Sequence, residues 1–508
     1  MKTRTLKIII LLFFINTITL FLYFSSHPDY LKHHSPNSPP PPPQPLHHFL
    51  GFSQPNSFSK PWPILPSYLP WSQNPNVKFG SCEAYFGNGF TRPLYLLNSS
   101  SPFSPSGSGW FRCYKSDTLL SSVCEASIIR MNVDKINMSH GGEALESVIG
   151  REEDDELPVF EAGAFDIRVE DEKKFGEKLV TPHLLGRVYP HGEVIRHTLR
   201  DLIKSIVLVP RSEFKCSEWV DEPTLLVTRF EYANLFHTVT DWYAAYVASR
   251  VTGLPNRPHL VFVDGHCMAP LEETWRAMFS SLRYAKNFSG PVCFRHAILS
   301  PIGYETVLFK GLTEDVDCHG ASAHDLWQQP DDRRTARISE FGEMIRASFG
   351  FPVDRHQTLK PDAGLNVLFV RREDYLAHPR HAGKVQSRLS NEQQLFDSLK
   401  IWASEHVDCK INLVNGIFAH MHMKEQVRAI QDASVIIGAH GAGLTHIVSA
   451  SPKAVIVEIV AAEFMRPHFA LIAKWKGLEY HPIFLKDSYV KPLVVKQKLD
   501  GILKSLGC

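Results

Sequence analysis

Short β-branched runs alternate with helical patterns along the last third of the chain. Strands are predicted at 366–370, 410–414, 432–437 and 454–459, and helices at 391–405 and 424–432. Strands that alternate with helices predict a parallel sheet that is covered on both faces.

The middle of the chain shows the same alternation less regularly. Strands are predicted at 224–228, 259–263 and 305–309, and helices at 232–250 and 331–348. Pro352 ends the last of these helices. The sequence therefore predicts an α/β protein with an N-terminal lobe at 77–350, a C-terminal lobe at 351–508 and a ligand cleft between them.

The N-terminal residues have a different pattern. The basic segment 1–7 precedes the apolar run 8–24, which as a helix would be roughly 25 Å long and could cross a thin membrane. A cleaved signal peptide is the alternative. We predict a retained anchor, because no convincing small-x-small cleavage site follows the run. Its basic flank keeps the N-terminus in the cytoplasm and places the rest of the chain in a lumen.

A proline-rich segment, 25–76, follows the apolar run and contains five consecutive prolines at 39–43. This composition predicts an extended stem, with simple disorder as the compatible alternative. Three sequons agree with a lumenal placement, and their asparagines are Asn98, Asn137 and Asn287.

Composition narrows the classes of function. The 508 residues suit two domains of ordinary size, and the net charge of +1 gives no basic field for a nucleic-acid partner. The nine cysteines all follow the apolar run, in a compartment that permits disulfides. Their odd number predicts a free or intermolecular thiol, for which Cys508 is the obvious candidate, and no Cys-x-x-Cys supports a zinc site.

A glycine-rich turn, GAHGAGLTH, follows the predicted strand 432–437. Exposed main-chain N–H groups and the start of a helix suit a diphosphate at the carboxyl edge of a parallel sheet. A tight βα turn is the alternative, with its histidines bonded in the core. Glu458, near the end of the next strand, could accept hydrogen bonds from a ribose. The candidate residues for a nucleotide sugar here are Gly438, His440, Gly441, Ala442, Gly443, Leu444, Thr445, His446 and Glu458.

Two adjacent arginines, Arg371 and Arg372, directly follow the strand 366–370. A guanidinium binds phosphate oxygens in a bidentate manner. Usually only one of two adjacent side chains faces a site, and we marginally favour Arg371. A surface charge pair is the alternative.

A candidate general base lies in the other half of the chain. His237 and Asp241 are four residues apart in the predicted helix 232–250, so they share a face, and Asn234 could cap that helix. A carboxylate one turn away can orient an imidazole for proton abstraction. An exposed His–Asp pair without a role is the alternative.

An Asp-x-Asp sequence, Asp315-Val316-Asp317, stands beyond the predicted strand 305–309 and beside Cys318. We interpret it as a loop, with a metal site as the minority interpretation.

Together these residues resemble glycosyltransferase family 61. The resemblance rests on Asn234, His237 and Asp241, on Arg371, and on the turn 438–446, and it covers nearly all of the chain after the stem. The stretches 79–91 and 229–243 are similar to family members that add xylose to plant N-glycans.

The resemblance implies a GT-B-like fold of two Rossmann-like domains facing a cleft. It also implies a single-pass type II Golgi membrane protein, anchored through residues 8–24. The implied reaction is an inverting transfer of xylose from UDP-xylose to the O2 of the core β-mannose of GlcNAc-terminated N-glycans. We expect no cofactor and no essential divalent metal.

Other functions stay open at this point. Members of the same family decorate xylan with arabinose or xylose, or attach O-GlcNAc to secreted proteins. A glycan-binding protein without turnover and a membrane-tethered scaffold are further alternatives.

Overall fold

The structure is a computed structural model. It describes residues 59–71, 76–98, 107–190, 196–353, 364–372, 388–406 and 409–508. The predicted tail, the apolar run 8–24 and the stem as far as residue 58 lie outside the described residues. In the described part, no helix has both the length and the apolar character needed to cross a bilayer.

The strands form two main sheets and two small ribbons. In chain order, the described strands are β1 (Arg92–Leu97), β2 (Trp110–Ser116), β3 (Ser121–Met131), β4 (Ile136–Asn137), β5 (Val159–Phe160), β6 (Phe165–Arg168), β7 (Val207–Val209), β8 (Glu218–Val220), β9 (Thr224–Val227), β10 (His259–Phe262), β11 (Leu282–Tyr284), β12 (Val292–Leu299), β13 (His319–Gly320), β14 (Arg334–Thr335), β15 (Leu365–Arg371), β16 (Ile411–Ile417), β17 (Val435–Ala439), β18 (Val455–Ala461) and β19 (Glu479–Leu485).

The α-helices lie mainly between these strands. Those in the described ranges are α1 (Glu153–Glu156), α2 (Pro182–Val188), α3 (Thr198–Ser205), α4 (Leu235–Val251), α5 (Glu272–Met278), α6 (Val307–Lys310), α7 (Ala323–Gln328), α8 (Arg337–Ser348), α9 (Glu392–Glu405), α10 (Met423–Asp432), α11 (His468–Lys476) and α12 (Pro492–Ser505). Short 3-10 turns include Gly303–Glu305 and Ala442–Ser449.

The larger sheet is mixed. Its main path runs β1-β2-β3-β12-β9-β10-β11, and β6, β7 and β8 pair at its sides. Strands β12, β9, β10 and β11 are parallel, whereas β1, β2, β3 and β12 pair antiparallel. The parallel part places the start of α4 at its carboxyl edge, because α4 follows β9.

The second sheet is parallel throughout and runs β16-β15-β17-β18-β19. Leu395 of α9 and Leu499 of α12 belong to the core on one of its faces, and Val427 of α10 and Ile472 of α11 belong to the core on the other. The prediction of a parallel sheet covered on both faces is confirmed. The second of these cores also contains Val239 of α4, so it continues into the N-terminal part of the chain.

One predicted strand is wrong. Residues 305–309 form the end of a 3-10 turn and helix α6. The Thr306 hydroxyl donates to the Gly303 carbonyl at 2.7 Å, and the Thr306 N–H donates to the same oxygen at 3.1 Å. Local bonds therefore bend this β-branched segment, and Val307 and Leu308 reach the core from a helical turn.

The segment 59–71 packs on helix α8, although it falls within the predicted stem. Glu343 accepts hydrogen bonds from the main-chain N–H of Ser67 at 2.7 Å and from its hydroxyl at 2.6 Å. Trp71 donates to Glu340 at 2.9 Å, and the Arg337 guanidinium lies 3.9 Å from the Trp71 ring centroid. The residues packed on the folded chain thus begin before residue 77, whereas the lobe boundary near 350 stays a prediction.

Eight cysteines form four disulfides: Cys82–Cys318, Cys113–Cys124, Cys216–Cys293 and Cys409–Cys508. The remaining thiol belongs to Cys267, which is buried. The prediction that Cys508 is the spare cysteine is therefore wrong, because the end of α12 brings the last residue back to the chain just before β16.

Candidate active site

The glycine-rich turn joins the end of β17 to the 3-10 helix Ala442–Ser449. Gly441 has extended backbone (φ 173°, ψ 160°), so its conformation does not itself demand glycine. A Cβ at this position would instead collide with Nη1 of Arg372 and lie 3.1 Å from its Cζ. The missing side chain therefore lets a guanidinium lie against the turn.

Arg372 is held close to this turn from the end of β15. Its main-chain N–H donates to Glu392 at 3.1 Å, while its Nε is buried without a hydrogen-bond partner among the described residues. Burial lowers the pKa of Arg372, and Glu392 partly opposes that effect. A half-buried guanidinium with an unused donor suits an anion-binding site.

Arg371 has other partners, so the preference for Arg371 over Arg372 is corrected. Its two terminal nitrogens donate to Gln393 at 2.7 Å and to Asn415 at 3.3 Å. Its guanidinium also lies 5.0 Å from the ring centroid of Phe396. Successive side chains of a strand point to opposite faces, and here only the second arginine lies at the turn.

Further basic groups join Arg372. Burial and the charges of Arg372 and Arg466 lower the pKa of Arg388 to about 10. Its guanidinium lies 3.4 Å from the ring centroid of Phe464. Burial and then His440, Arg466 and His237 lower the pKa of His468 to about 4. These mutual effects place the four side chains near one another, and the three arginines, Arg372, Arg388 and Arg466, are the cationic cluster of this site.

Sequence reasoning missed Arg388, Arg466 and His468. Two of these residues could have been found from the sequence. Arg466 and His468 follow the carboxyl end of β18, as Arg371 and Arg372 follow β15. The same edge rule would have marked them as candidates.

Glu458 does not offer a free carboxylate to a ribose, so that hypothesis is corrected. One of its oxygens lies 2.5 Å from Nδ1 of His440, and the other accepts a hydrogen bond from the Tyr480 hydroxyl at 2.5 Å. Glu458 is 1% exposed. The histidine–carboxylate pair of this site is therefore His440–Glu458.

Several residues of the turn serve packing. His446 is buried, and its Nε2 lies 2.7 Å from the side-chain oxygen of Gln426. Burial lowers the pKa of His446 to about 3, so it is a neutral core histidine, as the alternative interpretation held. Gly438 lies in β17 and leaves room for the buried side chain of Leu444. Thr445 is also buried, whereas Ala442 and Gly443 remain partly exposed.

His237 lies in the first turn of α4 among aromatic rings. Its ring centroid is 5.5 Å from that of Phe230, 5.5 Å from that of Phe236 and 5.9 Å from that of Tyr304. Nδ1 is buried and has no hydrogen-bond partner in the described part of the chain. Burial lowers the pKa of His237, against the opposing charge of Glu231. A neutral imidazole with an unused nitrogen can accept a proton.

Asp241 does not orient His237, and the predicted pair is corrected. Its carboxylate accepts hydrogen bonds from the main-chain N–H groups of Phe230 at 3.0 Å and Gly303 at 3.1 Å. Burial raises the pKa of Asp241 to about 8, although these two donors lower it. Asp241 thus joins the loop after β9 to the turn before α6. Asn234 caps α4, because its side-chain oxygen accepts from Phe236 N–H at 3.0 Å.

His468 connects the two halves of the candidate site. Its ring centroid lies 4.5 Å from that of Phe236 on α4 and 5.8 Å from that of His440 at the glycine turn. Its Nδ1 is buried and unpartnered among the described residues. The candidate base and the cationic cluster therefore belong to one site.

The Asp-x-Asp sequence lies in a loop, as interpreted. Asp317 is ion-paired with Lys474 at 2.9 Å, and the Val316 carbonyl accepts from the Trp475 indole at 3.3 Å. No group of three or more histidine, cysteine, aspartate or glutamate side chains in the described ranges could hold a metal ion. Both contacts join the loop to α11.

The asparagines of the three sequons, Asn98, Asn137 and Asn287, are all exposed. Asn137 donates to Glu161 at 2.9 Å. Their glycosylation stays a prediction.

Comparisons with known proteins identify the family of the chain. The family model described as Glycosyltransferase 61 matches residues 195–457, a span that contains β9, α4, β15 and the glycine turn. A beta-1,2-xylosyltransferase of Arabidopsis thaliana is 57% identical over 99% of this chain and 99% of its own length. Beta-1,2-xylosyltransferase RCN11 of Oryza sativa subsp. japonica is 58% identical over 89% of this chain and 84% of its own length.

A more distant relative shares about half of the chain. The EGF domain-specific O-linked N-acetylglucosamine transferase of Gallus gallus is 23% identical over 53% of this chain and 46% of its own length. On the extent of the family match and the identity to the two plant proteins, the chain belongs to the glycosyltransferase 61 family.

Proposed function

We propose that this protein is an inverting β-1,2-xylosyltransferase. It moves xylose from UDP-xylose to the O2 of the core β-mannose of GlcNAc-terminated N-glycans. The donor lies at the cationic cluster and the acceptor lies beside His237. The observation that carries the proposal is the single site that His468 forms with His237 on one side and the His440–Gly441 turn on the other.

The donor side suits a nucleoside diphosphate. Arg372, Arg388 and Arg466 supply positive charge, and the absence of a Cβ at Gly441 lets the Arg372 guanidinium lie against the turn. Fixed donors of this kind stabilise the charge that grows on a departing diphosphate without reorganisation during the reaction. We therefore expect turnover without a divalent metal.

The acceptor side suits a sugar. The half-buried rings of Phe230, Tyr304 and Phe309 pack edge to face with centroids 4.2 Å and 4.1 Å apart, beside His237. Such rings offer apolar faces to the C–H groups of a pyranose, and the His237 imidazole, whose Nδ1 has no partner among the described residues, is the proposed acceptor of a hydroxyl proton. In the proposed step the mannose O2 attacks C1 of xylose in line, His237 takes its proton, and UDP leaves from the opposite face.

The two sheets are proposed to be the two domains of a GT-B-like fold. The apolar run 8–24 is proposed to anchor the chain as a single-pass type II protein of the Golgi membrane, with the described residues in the lumen. Both proposals rest on the sequence pattern and on the resemblance to the family.

A transfer assay tests the function. The purified full chain is offered UDP-xylose, UDP-arabinose and UDP-GlcNAc, together with a GlcNAc-terminated N-glycan, xylan oligosaccharides and an EGF-domain peptide. We expect a pentose on the N-glycan by mass spectrometry, linked to O2 of the β-mannose, and unchanged transfer in EDTA. Transfer to xylan or to the peptide instead would assign the protein to another activity of its family, and no transfer of any sugar would overturn the proposal.

The base assignment has its own test. His237→Ala is expected to lower the transfer rate by about 100-fold or more, while binding of UDP changes little. His183→Ala, at an exposed histidine of α2, is the matched control and should keep the normal rate. A His237→Ala enzyme with a near-normal rate would show that another group takes the proton.

A further inference from the structure

Three neighbouring strands bring His440, Glu458 and Tyr480 together. His440 follows β17, Glu458 lies in β18 and Tyr480 lies in β19. Glu458 is paired with Nδ1 of His440 and with the Tyr480 hydroxyl, each at 2.5 Å. His440 is 7% exposed and Glu458 is 1% exposed. Both sides of a buried carboxylate are therefore occupied by side chains.

This arrangement defines the chemistry of the histidine ring. The Tyr480 hydroxyl donates to one oxygen of Glu458. Burial raises the pKa of Tyr480, and the charge of Glu458 raises it further, so the hydroxyl stays protonated. The other oxygen accepts from Nδ1–H of His440. A carboxylate at one ring nitrogen fixes the orientation of the ring and leaves the other nitrogen for a different partner. Nε2 is consequently the nitrogen that His440 can offer to a ligand.

His440 lies beside the position proposed for the phosphates. His440 is joined directly to Gly441, the residue over which the Arg372 guanidinium lies. Its main-chain N–H donates to the Ile459 carbonyl at 2.9 Å, which holds the residue at the edge of the sheet. Its ring is paired with Glu458 at Nδ1, and the ring centroids of His468 and Phe469 lie 5.8 Å and 5.0 Å from its own. Tyr480 is linked to it through Glu458.

We propose that His440 is a catalytic residue that donates its Nε2 proton to the departing diphosphate, and that Glu458 and Tyr480 are its positioning residues. This role rests on the proposed function. The arginines of the cluster can neutralise the diphosphate, but a guanidinium does not give up its proton. A histidine held by a carboxylate can do so, and it is the group of this turn with that capacity.

The step balances without a further reactant. The mannose O2 forms a bond to C1 of xylose and loses its proton to His237. The bond from C1 to the β-phosphate oxygen breaks, and its electron pair stays on that oxygen. His440 then passes the Nε2 proton to the same oxygen and becomes neutral. Release of the proton from His237 to water and uptake of one by His440 restore the enzyme.

Single-turnover xylose transfer and UDP binding are measured for the full chain and for three variants. His440→Gln keeps an N–H donor but cannot donate a proton, so we expect a loss in rate of about 100-fold or more. Its Kd for UDP should change less than about fivefold. Glu458→Gln should lose rate to a smaller extent, and Tyr480→Phe, which removes one oxygen atom, about three- to tenfold. The matched control is Tyr489→Phe, at an exposed tyrosine, and it should match wild type.

The pH profile separates proton donation from a structural role. Wild type should lose rate at high pH as the proton donor is lost, and this limb should disappear in His440→Gln. An unchanged rate and profile in His440→Gln, or a loss confined to UDP affinity, would overturn the proposal. If His440→Gln misfolds, Tyr480→Phe still tests the proposal, because it keeps the hydrocarbon packing. An undiminished rate in Tyr480→Phe would show that Tyr480 is not a positioning residue. A wild-type chain without any transfer would instead overturn the proposed function, and with it this role.

Discussion

The guanidinium of Arg372 lies over Gly441, in the space that a Cβ at Gly441 would fill. This contact joins the end of β15 to the turn after β17. The atom that a Cβ would meet is the end of a flexible side chain, so the arginine can move away while the backbone stays in place.

Gly441→Ala is therefore expected to weaken UDP binding without unfolding the protein. Loss of one charge-assisted contact to phosphate corresponds to about 10- to 100-fold in Kd. Isothermal titration with UDP and thermal unfolding measure the two effects separately. Gly501→Ala, where no atom lies within 4 Å of the added Cβ, is the control and should bind UDP normally. Equal UDP affinity in Gly441→Ala would contradict the phosphate site.

The adjacent arginines form a matched pair of variants. Arg372→Gln should raise the Kd for UDP at least tenfold, because the guanidinium at the turn is lost. Arg371→Gln should lose its bonds to Gln393 and Asn415, its 3.7 Å ion pair with Glu392 and its contact with the Phe396 ring. It should therefore lower the free energy of unfolding but leave the Kd for UDP within about twofold. If Arg371→Gln binds UDP more weakly than Arg372→Gln does, Arg371 is the arginine that contacts the phosphates.

Cys267 should be the single reduced thiol of the oxidised protein. It is buried, and burial raises the pKa of its thiol to about 12, so it should not react with alkylating reagents in the native state. Alkylation without reductant should give no modified cysteine in buffer and one, at Cys267, in denaturant. Peptide mass spectrometry checks the position, and an alkylated Cys508 would disprove the Cys409–Cys508 bond.

Acid should destabilise the protein through His446. Its pKa in the folded state, about 3, lies below its ordinary value of 6.5. Between these two pH values the histidine is protonated in the unfolded chain and neutral in the folded chain. Stability from this group is present above pH 6.5 and falls by about 1.4 kcal/mol for each pH unit below it.

His446→Gln should therefore show a shallower decline of the unfolding temperature between pH 6.5 and pH 4.5, even if it is less stable at neutral pH. His468, whose pKa is lowered to about 4, adds a separate dependence of the same sign that the variant keeps. His183→Gln, at an exposed site, should run parallel to wild type. A decline as steep as that of wild type in His446→Gln would show that other groups cause the acid effect.

The sequence was informative where local rules decide the structure. The β-branched runs predicted the parallel sheet, because buried parallel strands need apolar side chains on both faces. Asn234 was recognised as a cap, since its bond to Phe236 spans only two residues.

It was less informative where partners are distant in the chain. Asp241 binds the N–H of Gly303, 62 residues away, and this contact leaves no carboxylate oxygen for His237. Glu458 accepts a hydrogen bond from Tyr480, which lies in the next strand of the sheet. The choice between Arg371 and Arg372 depended on which face of β15 the glycine turn covers, which periodicity alone does not give. Arg388 comes from a segment with no pattern that relates it to Arg372.

The contacts of residues 59–71 decide where the chain can be cut. A soluble enzyme that starts at residue 77 would lose the Ser67 and Trp71 donors and leave the carboxylates of Glu340 and Glu343 buried with fewer partners. Removal of one partner from a buried charge is costly. A secreted version for crystallisation should therefore keep Ser59 and everything after it, and purification tags belong at that end, since Cys508 is itself cross-linked.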